Sequence, residues 1–127
     1  MADTPRRVAD YSRVALALIR LFNGAAALFV PRFLARRLGV DPESNPAVIY
    51  SLRLFGIRTI VIGAELLLPD GEVRRHSVRV APLIHGSDAV TAWLTVVERQ
   101  LPARSAKTAA IISTVNTILA FLAQRRS

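Results

Sequence analysis

The chain has no cysteine, which excludes disulfides and thiolate metal sites. Lysine is nearly missing too: Lys107 stands alone against sixteen arginines. There is no glycine-rich phosphate loop, no cluster of acids suited to a divalent metal, and no serine elbow of the hydrolase kind. Ser87 adjoins Asp88 and lies near His85, but consecutive helix positions point in different directions, so no triad is implied. An enzyme is not expected, nor a cofactor or metal. The formal charge of +8 could suit nucleic acid, yet the arginines sit at the ends of apolar runs without the interleaved aromatics of a stacking surface. Nucleic acid is therefore not an expected partner, and flanking arginines fit anionic lipid headgroups better.

What the chain does have is apolar residues. At 127 residues, 52% of them hydrophobic, with a mean hydropathy of +0.36, it suits one domain, residues 1–127, that is too apolar for a typical soluble one. Residues 1–10 hold Asp3 and Asp10 and no apolar core behind a basic tip, so they do not read as a cleaved signal, and the first apolar run is read as permanent.

Four runs organise the sequence. The first, Val14 to Val30, stops at Pro31, and Thr4 before Pro5 offers a cap for a helix that starts well upstream. In the second, Asn45 is placed to cap and Pro46 to take the first helical position, and the run reaches Leu68 before Pro69-Asp70-Gly71. The third follows Arg74, Arg75 and Arg79 and ends at Val97, with Pro82 either in its first turn or kinking it. The fourth, Thr108 to Gln124, carries no formal charge; a soluble bundle helix would show water a charged face. The expected fold is all-α: a four-helix transmembrane bundle of antiparallel up-down topology. Between the first two runs, Phe33, Leu34 and Leu38 alternate with Arg32, Arg36 and Arg37, as in a short amphipathic segment lying in the headgroup region or a solvated turn continuing the first helix.

Each run also carries polar groups: Arg20 and Asn23, then Arg58 and Glu65, then His85 and Asp88, then Asn116. Counted from the run ends at about 1.5 Å per residue, most fall about 9 to 16 Å from one face of a roughly 30 Å hydrocarbon core. Helical spacing places each on a stripe of small or polar residues, such as Arg20, Asn23, Gly24 and Ala27, or Arg58, Ile62 and Glu65. Those stripes are expected to meet at the bundle centre. A charged residue near a span centre costs roughly 2.5 to 3.5 kcal/mol on the insertion scale, against about 0.3 to 0.6 returned by a leucine-like one. Pairing is therefore favoured. Asp88 is expected to take Arg20 or Arg58 as its ion partner, with Asn23 and Asn116 satisfying the remaining groups and Arg53 reaching for the nearer interface. An architectural pair outranks a proton relay or headgroup site in this reading. His85 reads as a hydrogen-bonded core residue, since one His and one Asp are too few for a metal. Glu65, near a membrane face, is open to being simply wet, and Asn116 reads as helix glue.

The segments Arg20-Leu21-Phe22-Asn23-Gly24, Arg53-Leu54-Phe55-Gly56-Ile57-Arg58-Thr59 and Ile84-His85-Gly86-Ser87-Asp88, with the sizes of the four runs, give the chain its recognisable pattern. Over nearly its whole length it resembles small four-helix membrane proteins of high-GC actinobacteria. The association that follows is with the small accessory subunits beside the permease of mycobacterial Mce-type lipid importers. That resemblance implies a non-enzymatic accessory subunit of a larger inner-membrane complex, with membrane lipids and a larger integral membrane protein as partners. The residues also admit a small carrier or lipid-binding protein in which Arg20, Arg58, His85 and Asp88 line a cavity, and a soluble helical interaction module.

The side with both termini and the second loop counts eight arginines against six basic residues, or seven with Arg53, on the other, which leans towards cytoplasmic termini. After cell breakage the protein is expected in the membrane pellet, resisting an alkaline wash and released by detergent. Recovery in the supernatant would establish the soluble module instead.

Overall fold

The computed structural model describes residues 3–98 and 103–124, and among them the chain is helical throughout apart from its connections. The elements are α1 (Asp3–Phe29), α2 (Pro31–Arg37), α3 (Ala47–Leu66), α4 (Glu72–Val97) and α5 (Ala103–Leu122). All but α2 are long and apolar enough to cross a membrane. The chain is thus an all-α bundle with four candidate spans. Arg99, Arg125 and Arg126, which entered the charge count, lie outside the described residues.

Several helix boundaries differ from expectation. α1 starts at Asp3, so Thr4 lies inside it. Pro46 itself is the N-cap of α3 and Asn45 makes no side-chain cap, because a turn fastens the preceding loop first. In that turn Asp41 Oδ1 accepts from the Glu43 amide at 3.0 Å and the Asp41 carbonyl accepts from the Asn45 amide at 3.0 Å. α4 starts at Glu72, which puts Arg74, Arg75 and Arg79 on the helix and Pro82 in its interior. A proline there has no amide to give the carbonyl four residues back. Gln124 Nε2 donates to that carbonyl, Val78 O, at 2.6 Å and so ties the end of α5 to α4. α2 is a separate short helix that opens on Pro31, buries Pro31 and Ala35, and stacks the Arg37 guanidinium on Phe33 at 6.0 Å.

α1 and α3 run antiparallel with their backbones in contact. A Cβ on Gly24 would stand 2.9 Å from the Gly56 carbonyl, one on Gly56 would stand 2.7 Å from the Gly24 carbonyl, and one on Gly63 would stand 3.0 Å from the Ala17 carbonyl. Gly24 therefore opposes Gly56 while Ala17 opposes Gly63, a seven-residue spacing on both helices that keeps the small positions in one seam. The seam turns Gly56, Thr59, Gly63 and Leu66 of α3 inward. This corrects the expected inward place of Arg58, which is exposed because close backbone approach is possible only along the glycine face, while Ile62 and Glu65 of its stripe are half-buried.

α4 and α5 form the second close pair, with Ser77, Ala81 and His85 buried on one helix and Ala106, Ala110, Asn116 and Ala120 on the other. The two pairs are clipped together near the α3–α4 turn. There Arg74 donates to Leu68 O at 3.2 Å and Ser77 Oγ donates to Glu65 Oε2 at 2.6 Å, while within the first pair the Arg13 guanidinium donates to the Leu66 carbonyl at the end of α3. Leu16, Ala17, Leu66, Ala81 and Ala120 form the core beneath this clip. Elsewhere α3 and α4 make little contact, and the bundle opens towards α2.

Gly56→Ala is expected to destabilise the detergent-solubilised protein by about 1 to 3 kcal/mol, as overpacking does. Gly86→Ala, where a Cβ meets nothing within 4 Å, should be neutral or stabilising by up to about 1 kcal/mol. Thermal melts of the two variants against the parent check the seam, and equal melts would contradict it.

Candidate functional site

The opening between the helix pairs is a cleft of about 1490 Å³. Its character changes with depth in three bands. At the mouth, on the side of α2, stand the exposed Arg36 and Arg37 and, from the start of α5, Arg104. The walls are apolar, with Phe29, Phe33, Leu34, Leu52, Phe55 and Ile112 prominent. The floor is polar, and it is where most of the residues expected at the bundle centre gather: Arg20, Asn23, Asp88 and Asn116.

Helix periodicity explains the floor. Gly24 faces α3, and Arg20 and Asn23 fall on the side of α1 turned to the bundle axis, as Asp88 does on α4 and Asn116 on α5. Arg20 Nη1 meets Asp88 Oδ2 at 3.4 Å, across the bundle from one helix pair to the other. The Arg20 side chain is 6% exposed while that of Asp88 is 42% exposed, so the carboxylate stands in the cleft and the guanidinium behind it. Of the two expected partners for Asp88, the structure supplies Arg20. Arg58 has no carboxylate within 4 Å among the described residues and does not line the cleft.

The expected satisfaction of this layer by asparagines is not found. Asn116 is buried with its Oδ1 unpartnered among the described residues, and Asn23 lines the cleft with no hydrogen bond to Arg20 or Asp88. His85 is fully buried, yet neither ring nitrogen meets a hydrogen-bond partner among the described residues, contrary to the hydrogen-bonded role expected of it. Arg20 Nε is unpartnered as well. Buried polar atoms are normally paired, so this layer is unusually under-satisfied for a core that serves only as packing. Glu65 lies apart from it, half-buried in the clip and bonded to Ser77. No group of three or more His, Asp or Glu suited to a metal occurs among the described residues.

A second, shallower groove of about 430 Å³ runs between α1 and α5, lined by Leu18, Ile19, Ile111 and Val115. Phe22, Asn23, Ile112 and Asn116 line both it and the cleft, so the two spaces meet at the α1–α5 seam. Sequence reasoning missed Arg104 and this lateral groove. Arg36 and Arg37 were legible as headgroup-level charge, but nothing local to Arg104 marks it as facing them.

No protein-family model, curated protein or solved structure matches the chain.

Asp88→Ala is expected to lower the yield of folded protein and its stability in detergent by about 1.5 to 3 kcal/mol, the range for a hydrogen bond to a charged group. The double variant Arg20→Met with Asp88→Ala should recover most of that loss, because no unpaired guanidinium is left. Non-additive melting temperatures would register the coupling; strictly additive losses would argue that Arg20 and Asp88 do not act as a pair.

Proposed function

We propose that this small multi-pass membrane protein binds an anionic lipid, holding the headgroup at Arg36, Arg37 and Arg104 and the acyl chain along the apolar walls of the cleft. The observation that carries the reading is the order of the three bands, basic mouth, apolar wall and polar floor, which matches an amphiphile entering chain first. The volume exceeds the roughly 300 to 1,000 Å³ usual for small-molecule pockets, which favours a chain-bearing ligand over a compact metabolite. Arg20, Asn23 and Asn116 then limit how deep an apolar chain can run. The groove between α1 and α5 offers a second chain a path to the surrounding bilayer. The role is non-enzymatic: it asks the protein to hold or hand over a lipid.

A second reading, an accessory subunit of a larger inner-membrane complex such as lipid-transport machinery, draws on the resemblance to importer subunits. It is favoured by Arg58 in the middle of α3, which is exposed and does not line the cleft.

Binding is testable in nanodiscs with fluorescent phosphatidylglycerol and phosphatidylcholine probes. Each basic residue near an anionic surface contributes about 1 kcal/mol, so Arg36→Gln, Arg37→Gln and Arg104→Gln together should weaken phosphatidylglycerol binding by roughly a hundredfold. Ala109→Phe, which fills the cleft without changing charge, should weaken both probes. Equal binding of both probes by the parent, untouched by either change, would sink the lipid-site reading.

A further inference from the structure

The floor of the cleft holds more hydrogen-bonding capacity than the protein uses. Asp88 spends one carboxylate oxygen on Arg20 at 3.4 Å, and its side chain, half-buried in the cleft, makes no other hydrogen bond among the described residues. Asn23 on α1 is half-buried and its side chain makes none at all there. The Asn116 side chain on α5 is buried with Oδ1 unpartnered. All three residues line the cleft. An asparagine turns easily about χ2, so the Asn116 amide can present either of its polar atoms to that space. Buried polar groups are normally paired, and unspent ones brought together by three helices make a poor core but a ready binding surface.

Charge says what this surface takes. Asp88 stands in front of its arginine, so an anion meets a carboxylate first and stays at the basic mouth. A full cation gains little, because Arg20 behind Asp88 already neutralises it. A hydroxyl is neutral, donates to a carboxylate and accepts from an amide. Deep in hydrocarbon a hydroxyl is costly without a partner, so a lipid that carries one far along its chain gains from a site that supplies one. The reach is set by α5, on which Arg104 at the mouth and Asn116 at the floor are about 18 Å apart at the helical rise, close to the length of an extended palmitic chain.

We infer that the cleft floor is a second subsite of the lipid site, one that takes a hydroxyl at the far end of a fatty chain whose anionic end stands at Arg36, Arg37 and Arg104. The hydroxyl donates to the Asp88 carboxylate and accepts from the Asn23 amide, with the Asn116 amide turning to it from α5. The inference rests on the lipid-binding reading and names the chain that the cleft prefers.

The test uses the full chain in phosphatidylcholine nanodiscs. ω-Hydroxypalmitic acid and palmitic acid each compete with the fluorescent phosphatidylglycerol probe, and empty nanodiscs correct for partition into the bilayer. The ω-hydroxy acid should compete roughly tenfold better or more, as a hydrogen bond to a charged group allows. α-Hydroxypalmitic acid, whose hydroxyl stays at the mouth, should match palmitic acid. Asn23→Leu with Asn116→Leu should bring the ω-hydroxy preference down to about one, with a detergent melt no lower than the parent's, because unpaired amides give way to apolar groups of like size. Equal competition by the ω-hydroxy and palmitic acids, an equal gain from the α-hydroxyl, or a preference that survives the double change overturns the floor subsite and leaves the lipid reading standing. Better competition by ω-aminopalmitic acid than by the ω-hydroxy acid overturns the assignment of a neutral hydroxyl. Absence of any binding by the phosphatidylglycerol probe itself overturns both.

Discussion

Because a bilayer gives apolar side chains nothing to gain by leaving lipid for one another, the pairing of α1 with α3 depends on backbone proximity that only missing side chains at Gly24, Gly56 and Gly63 permit. That seam sets the rotation of both helices. With Gly56, Thr59, Gly63 and Leu66 turned to α1, Leu52 and Phe55 fall into the cleft and Arg58 falls outside it. On α1 the same contact leaves Arg20 and Asn23 aimed at the bundle axis. A different seam would bury a different arginine.

The molecule is fastened at one end and open at the other. The fastening is polar: Arg13 and Arg74 on carbonyls at and beyond the end of α3, Ser77 on Glu65, and Gln124 on the carbonyl that Pro82 leaves without an amide. Hydrogen bonds of this kind hold helices in lipid, where the alternative is an unsatisfied polar group. At the open end the ties are few, Trp93 Nε1 to Thr114 Oγ1 at 2.9 Å between α4 and α5, and Ser105 Oγ to the Arg37 carbonyl at 2.7 Å. Neither closes the gap between α3 and α4. Between the two ends the Arg20–Asp88 pair spans the bundle, with the ring nitrogens of His85 and Oδ1 of Asn116 buried and without a hydrogen-bond partner among the described residues. The polar layer thus marks where the packed half of the protein gives way to the cleft.

The spans were readable because hydropathy needs only neighbours in sequence: each apolar run is about the length of a bilayer, and each stops at proline or charge. The ends were less so. Asn45 has the chemistry of a cap, yet the Asp41 turn takes up the loop and Pro46 becomes the cap. Pro82 was legible as a defect in the helix, but not that Gln124, forty-two residues on, answers it. Of the polar residues, Arg20, Asn23, Asp88 and Asn116 converge on one floor as depth counting required, because depth is a matter of rise per residue. Arg58 shares their depth and does not line the floor. A pattern of polar residues on a helix tells which face is distinct; it does not tell whether that face or the glycine face will be the inner one.

Sequence alone was enough for the four candidate spans, the fit to a membrane, the absence of thiols, and a common depth for the central polar groups. All of these follow from composition and from spacing along single helices. Only the tertiary structure decided that Asp88 faces Arg20, that Arg36, Arg37 and Arg104 share one mouth, and that Arg58 stays exposed and off the cleft lining. Those outcomes depend on how helices are rotated and splayed against one another, which is settled by how closely backbones can approach, a property of pairs of helices that neither helix carries by itself.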